Sequence, residues 1–302
     1  MCARPLAFIV AAALCLPALA QTPAAPPPER RTIAVSVLDK DGKAVHGLTA
    51  ENFRGEFRGQ PVRILSATED SSPRRIAIVV DNSASMRPHS NRVWTLVGDM
   101  LIELSSLYEV AVYSLNEEPV RLISFTQGSD ARRRMFNQLK LTPARGATPL
   151  YDGLAHVSRE FGAASFGDAI CLITDGYDTT SRTTPDELEV LFARTSLRLL
   201  VLRFPDTSGA AIFLVSRSRR RLHTGDFGAV VFDYIGGADD LQRKRSTLKD
   251  VLGWAYRVEL ELSRPSDKPR KWKLEVVGAD GEKLKDVDVA YPRLLVPLSE
   301  KK

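Results

Sequence analysis

From residue 75 onward the chain alternates short apolar runs with stretches of helical period, and this rhythm restricts its fold more than any other feature. The runs are RIAIVV (75–80), EVAVYSL (109–115), VRLISF (120–125), AICLIT (169–174), LRLLVLRF (197–204) and GAVVFDY (228–234). Helices are predicted near 91–108, 130–140 and 149–162, from Pro185, and from about Ala238. Short strands that are apolar on both faces belong in a mainly parallel sheet covered by helices on both sides. Residues 73–255 are therefore expected to form one doubly wound, Rossmann-like α/β domain. In the first helix Val93, Val97, Met100, Leu104 and Leu107 fall on one stripe. TTPDELE reads as a helix start, with Thr184 as cap and Pro185 in the first position.

The flanks have a different period. Residues 31–72 alternate as strands, with turns at DKDGK and RGQP, and strand patterns return over 256–302 in YRVELELS, KWKLEVVG and DVDVAYPR. DKDG is not a calcium loop of the EF-hand type, because the position requiring Gly is Ala44. Each β segment is too small to stand alone, so the two are expected to pair into one small β-sandwich from which the α/β domain is an insertion.

Residues 1–20 read as a signal peptide, with Arg4, an apolar stretch and a cleavage site after Ala20; a Pro/Ala-rich linker (21–30) follows. The chain is thus expected to be exported, to the periplasm or outside the cell. No later run is long and apolar enough to span a membrane. Of three cysteines only Cys171 remains after cleavage, in an apolar run, and it reads as a small buried hydrophobe. The net charge of +5 includes arginine clusters at 132–134, 217–221 and 243–245. No aromatic side chains interleave them, and an exported protein rarely meets nucleic acid, so they read as solvated helix faces or as contacts to an anionic envelope surface rather than a nucleic-acid site.

Open α/β sheets bind ligands beyond the carboxyl ends of their strands, where the strand order reverses. Asp81 lies just beyond RIAIVV and Asp175 just beyond AICLIT, and adjacent strands would turn both carboxylates to one crevice. Ser83 and Ser85 follow Asp81 at alternate positions, where an extended loop would point both hydroxyls the same way, and RGATPLYDG (145–153) offers Thr148. Two carboxylates and three hydroxyls are hard oxygen donors suited to Mg²⁺ or Mn²⁺, not to zinc or copper. The other reading of Thr148 is a helix cap before Pro149. Asp178 reads as solvated or supporting, Tyr151 and Asp152 as loop supports, His89 as a loop residue and His156 as a helix-surface residue.

In this arrangement residues 75–255 resemble a von Willebrand factor type A domain. Asp81, Ser83 and Ser85 correspond to the DxSxS element of its metal-ion-dependent adhesion site, Thr148 to the threonine and Asp175 to the aspartate. With its flanks the chain resembles bacterial secreted proteins related to that family. The resemblance implies a non-enzymatic protein-binding module whose cation meets an Asp or Glu of a protein partner. The family usually has Gly between the two serines, so Ala84 is expected to be mildly strained. One alternative is an envelope scaffold with a structural metal. Another is a metal-dependent hydrolase, against which stand the absence of a suitable general base and of a G-x-S-x-G elbow.

Overall fold

The computed structural model describes residues 28–72, 74–128, 143–205, 220–222, 225–264 and 266–298. The expected signal peptide, linker residues 21–27, the predicted helix near 130–140 and the arginines at 132–134, 217 and 219 lie outside the described residues. Strands β1 (Glu29–Asp39), β2 (Phe53–Phe57) and β3 (Gln60–Asp70) come first. The α/β unit follows: β4 (Arg75–Asp81), α1 (Ser90–Leu104), β5 (Glu109–Leu115), β6 (Pro119–Thr126) and α2 (Leu150–Glu160). It continues through β7 (Ala169–Thr174), β8 (Tyr177–Asp178), α3 (Pro185–Thr195), β9 (Arg198–Arg203), β10 (Arg220–Arg221), β11 (Val230–Asp233) and α4 (Ala238–Gly253). Last come β12 (Ala255–Leu262), β13 (Arg270–Lys271), β14 (Lys273–Val276), β15 (Val287–Ala290) and β16 (Leu294–Leu295).

The central sheet has the order β11-β9-β7-β4-β5-β6, with every pairing parallel except β5 with β6. Its order reverses between β4 and β7, the strands that carry Asp81 and lead to Asp175. Successive side chains of a strand leave on opposite faces. Ile76, Ile78 and Val80 accordingly join the core under α1 and α4, while Ala77 and Val79 join the core under α2 and α3. That is why these strands read as unbroken apolar runs. Helix α1 stops at Leu104, so Val93, Val97, Met100 and Leu104 are buried but Leu107 lies in the following turn, 60% exposed.

The flanking strands make a six-stranded sheet in the order β14-β2-β3-β12-β1-β15. Its two longest strands change partner along their length. Strand β1 pairs with β12 up to Val35 and with β15 from Ser36, and β3 pairs with β2 up to Val62 and with β12 from Arg63. Strands that pass between pairings in this way make corners, so the sheet folds over its own core of Val35, Val37, Phe53, Tyr256 and Trp272. The DKDGK turn is closed by Asp39, whose Oδ1 accepts from the amides of Asp41 and Lys43 (both 2.9 Å), a local bond that needs no metal. At the C-terminus β16 pairs with β13 and buries Leu294 and Leu295.

Cationic side chains tie the amino ends of the central strands to the rest. The buried Arg198 donates to the carbonyls of Gly167, Val251, Leu252 and Trp254 at 2.6–3.3 Å, which satisfies the last carbonyls of α4. Burial, and then the neighbouring Arg74, pull its guanidinium down to about 9, so it remains charged at neutral pH. Arg75 grips the buried Asp168 (Nη2 to Oδ2 2.6 Å).

Candidate metal centre

Strand β4 ends in Asp81, whose Oδ1 accepts the amide of Ser83 (3.1 Å) and whose Oδ2 accepts the hydroxyl of Thr174 (2.7 Å). Ser83 is extended (φ −73°, ψ 170°), and a 3₁₀ turn over Ala84–His89 follows it directly. The turn, and not an extended loop, brings Ser85 back so that the two serine hydroxyls lie 3.0 Å apart. Ala84 is absent from the residues with positive φ, so the strain expected of it is not there. Opposite, β7 ends in Thr174, and Asp175 accepts the amide of Tyr177 (3.1 Å). Gly176 has φ +88°, a conformation that favours glycine, and its amide turns back onto the Thr174 hydroxyl (2.9 Å). Thr174 thus receives one hydrogen bond and passes one to Asp81, locking the two loops together.

The third loop is zipped to the first by backbone bonds, Arg145 amide to Asn82 carbonyl (3.0 Å) and Ala84 amide to Gly146 carbonyl (3.2 Å). Thr148 is buried at its end. Its main chain is held from both sides by Thr179, whose hydroxyl accepts the Thr148 amide (2.8 Å) and whose amide donates to the Thr148 carbonyl (2.9 Å). The N-cap of α2 is Pro149, so the Thr148 hydroxyl is not the helix cap.

Asp81, Ser83, Thr148 and Asp175 are at most 3% exposed and Ser85 is half-buried. Burial, and then the nearby Asp175 carboxylate, push the Asp81 carboxyl well above the ordinary carboxylate range, against the pull of its bonds from Thr174 and Ser83. Among the described residues Asp81 has no cationic side chain as a partner. Two buried acids meeting with hydroxyls and amides around them are the donor set of a hard divalent cation, whose charge would offset their repulsion. Among the described residues no group of three or more His, Cys, Asp or Glu is placed to hold a metal ion.

Other residues fall into supporting roles. Asp178 is buried, accepting the Tyr151 amide (3.3 Å) and the Ser181 hydroxyl (2.5 Å), and is not a solvated acid. Asp152 accepts the amides of Arg182 (3.0 Å) and Thr183 (2.8 Å) and so holds the loop after β8. His89 is a buried member of the 3₁₀ turn, bonded at Nε2 to the Pro205 carbonyl (3.0 Å) and packed on Phe204, where a loop residue was expected. His156 lies on the exposed side of α2. Cys171 is fully buried, its thiol pushed up to about 12 by that burial, which leaves it inert. Thr174 and Thr179 were not singled out from sequence. Their signal is a hydroxyl at a strand end and one shortly after the TDG turn, common enough elsewhere to pass unread.

Residues 76–177 match the von Willebrand factor type A domain family. The span is about a third of the chain and contains Asp81, Ser83, Ser85, Thr148 and Asp175. The α/β unit has the fold of that domain, with the sheet continuing through β9 and β11 beyond the matched span. Among solved structures, the chain is similar to protein BatB from Bacteroides thetaiotaomicron (16% identity, 59% of this chain and 98% of that one, TM-score 0.43). It is similar also to proximal thread matrix protein 1 from the mussel byssus, solved with a zinc-occupied MIDAS motif (16% identity, 63% of this chain and 49% of that one, TM-score 0.47). A third is a von Willebrand factor type A protein from Catenulispora acidiphila (12% identity, 86% and 73%, TM-score 0.45). No curated protein matches the chain.

Proposed function

We propose that the chain is an exported, non-enzymatic binding protein that takes up an acidic residue of a protein partner through a divalent cation, Mg²⁺ or Mn²⁺. Asp81, Ser83, Ser85, Thr148 and Asp175 are its ligands, directly or through water. The observation that carries this reading is the meeting of Asp81 and Asp175 at the reversal point of the sheet, with two serine hydroxyls 3.0 Å apart beside them and, among the described residues, no cationic partner on Asp81. A bound cation of this kind supplies an open coordination position attractive to a carboxylate. The chain supplies the rest: Thr174 orients Asp81, Thr179 fixes the backbone of Thr148, and the 3₁₀ turn presents both serines. Domains of the matched family typically mediate protein interactions, in keeping with this use. Periplasmic or secreted placement follows from the signal-peptide pattern of residues 1–20.

The test is a thermal-shift titration of the full chain with Mg²⁺, Mn²⁺ and Zn²⁺ beside EDTA. A Tm that rises with concentration in the wild type and not in Asp175→Ala or Ser83→Ala supports the site through linkage. Partners captured from envelope extracts in Mg²⁺ and released by EDTA would extend it to binding. A Tm rise with partner capture indifferent to EDTA would make the metal structural only, and no rise with any metal would overturn the site.

A further inference from the structure

Among the described residues, Arg145 on the rim of this centre has a fixed backbone and an unused charge. Arg145 is exposed, and its guanidinium makes no hydrogen bond, ion pair or ring contact among the described residues. Its backbone, in contrast, is pinned: its amide donates to the carbonyl of Asn82 (3.0 Å), the residue between Asp81 and Ser83. Arg87, on the 3₁₀ turn, holds the same loop by donating from Nε (3.3 Å) and Nη2 (3.2 Å) to the Ala144 carbonyl. The acid on this rim is Glu117, which lies against Gly146, and it forms no ion pair with Arg145. The rim is therefore polarised, with guanidinium groups beside the DxSxS loop and a carboxylate past Gly146.

We propose that Arg145 is a second reading position for the partner, and that the recognised segment is diacidic, with two Asp or Glu side chains within a few residues. This rests on the reading above, in which the first acid meets a cation held by Asp81 and Asp175. The second acid is taken by the Arg145 guanidinium, whose flat fork of donors suits a carboxylate. Glu117, against Gly146, repels the same group and so sets the direction in which the segment runs. Other arginines spend their charge inside the fold: Arg75 and Arg203 each grip an Asp, and Arg198 grips four carbonyls. Among the described residues Arg145 forms no such contact.

The test is fluorescence anisotropy of the full chain, in Mg²⁺ and in EDTA, with two rhodamine-labelled Gly/Ser peptides, one carrying a single Asp and one carrying two. The wild type should bind the diacid about three- to fivefold more tightly than the monoacid in Mg²⁺. Arg145→Ala should remove that preference while leaving monoacid binding unchanged, and Arg145→Lys should keep part of it. Equal binding of the two peptides by the wild type, or a preference that survives Arg145→Ala, overturns the assignment of Arg145 and leaves the cation reading standing. Failure of both peptides to bind in Mg²⁺ overturns the cation reading and this proposal with it.

Discussion

The two ends of the central sheet handle buried charge in opposite ways. At the amino end each buried acid meets a base: Asp168 lies under Arg75, Asp70 takes Arg74 and Arg257, and Arg198 spends its guanidinium on four carbonyls. At the carboxyl end Asp81 faces another carboxylate, with a hydroxyl and an amide as its bonded partners. A charge that is matched inside the fold ties elements together, and one left facing its like is held against repulsion by the rest of the structure. The first arrangement serves stability. The second costs stability and keeps the site receptive to something positive from outside.

Removing Arg198 should break this contrast most severely. Arg198→Met leaves four carbonyls short of a donor and is expected to cost about 3–5 kcal/mol in urea unfolding, with the Mg²⁺-induced rise in Tm retained in whatever folds. Asp168→Asn should follow at about 2–3 kcal/mol, since the buried Arg75 contact loses its charge partner. At the other end the sign should invert. Asp81→Asn keeps the shape and removes the like-charge repulsion, so in EDTA at pH 8 it should stabilise by about 1 kcal/mol while abolishing the response to Mg²⁺. Destabilisation there in EDTA would erase the difference between the two ends.

The smallest effect concerns acid. Glu69, where β3 meets the end of α4, is drawn down to about 2 by the Gly47 amide and by His46. A carboxyl lowered in the fold contributes stability above its ordinary value of 4.5 and loses it as pH falls toward 2. Glu69→Gln should therefore narrow the difference in Tm between pH 5 and pH 2.5, by a modest amount because the side chain is 39% exposed.

The fold was legible because strands buried on both faces leave no polar residue to interrupt their runs, and because Thr184 does cap α3 in a reciprocal pair with Glu187. The adjacency of β4 and β7 was the condition on which Asp81 and Asp175 could share a crevice, and the strand order meets it. What stayed hidden depends on contacts distant in sequence. Leu107 fits the stripe of α1, but the helix ends one turn earlier and the residue points to solvent. His89 looks like loop until a 3₁₀ turn lays it on Phe204. Arg198 reads as a strand-edge residue, and its four acceptors come from two segments more than 30 residues away. The convergence of Ser83 and Ser85 was anticipated, though by an extended path that the 3₁₀ turn replaces.

The α/β unit leaves the outer sheet after β3 and returns at β12, and the residues at those two points, Asp70 and Ala255, sit directly opposite each other in one antiparallel ladder. Some 180 residues thus begin and end within a single strand spacing, about 5 Å. In the register of that ladder the crossing is the same as that of a hairpin. Strand β1 of the outer sheet also sends Leu38 into the core under α1 and α4, so the two parts are joined by packing as well as by the chain.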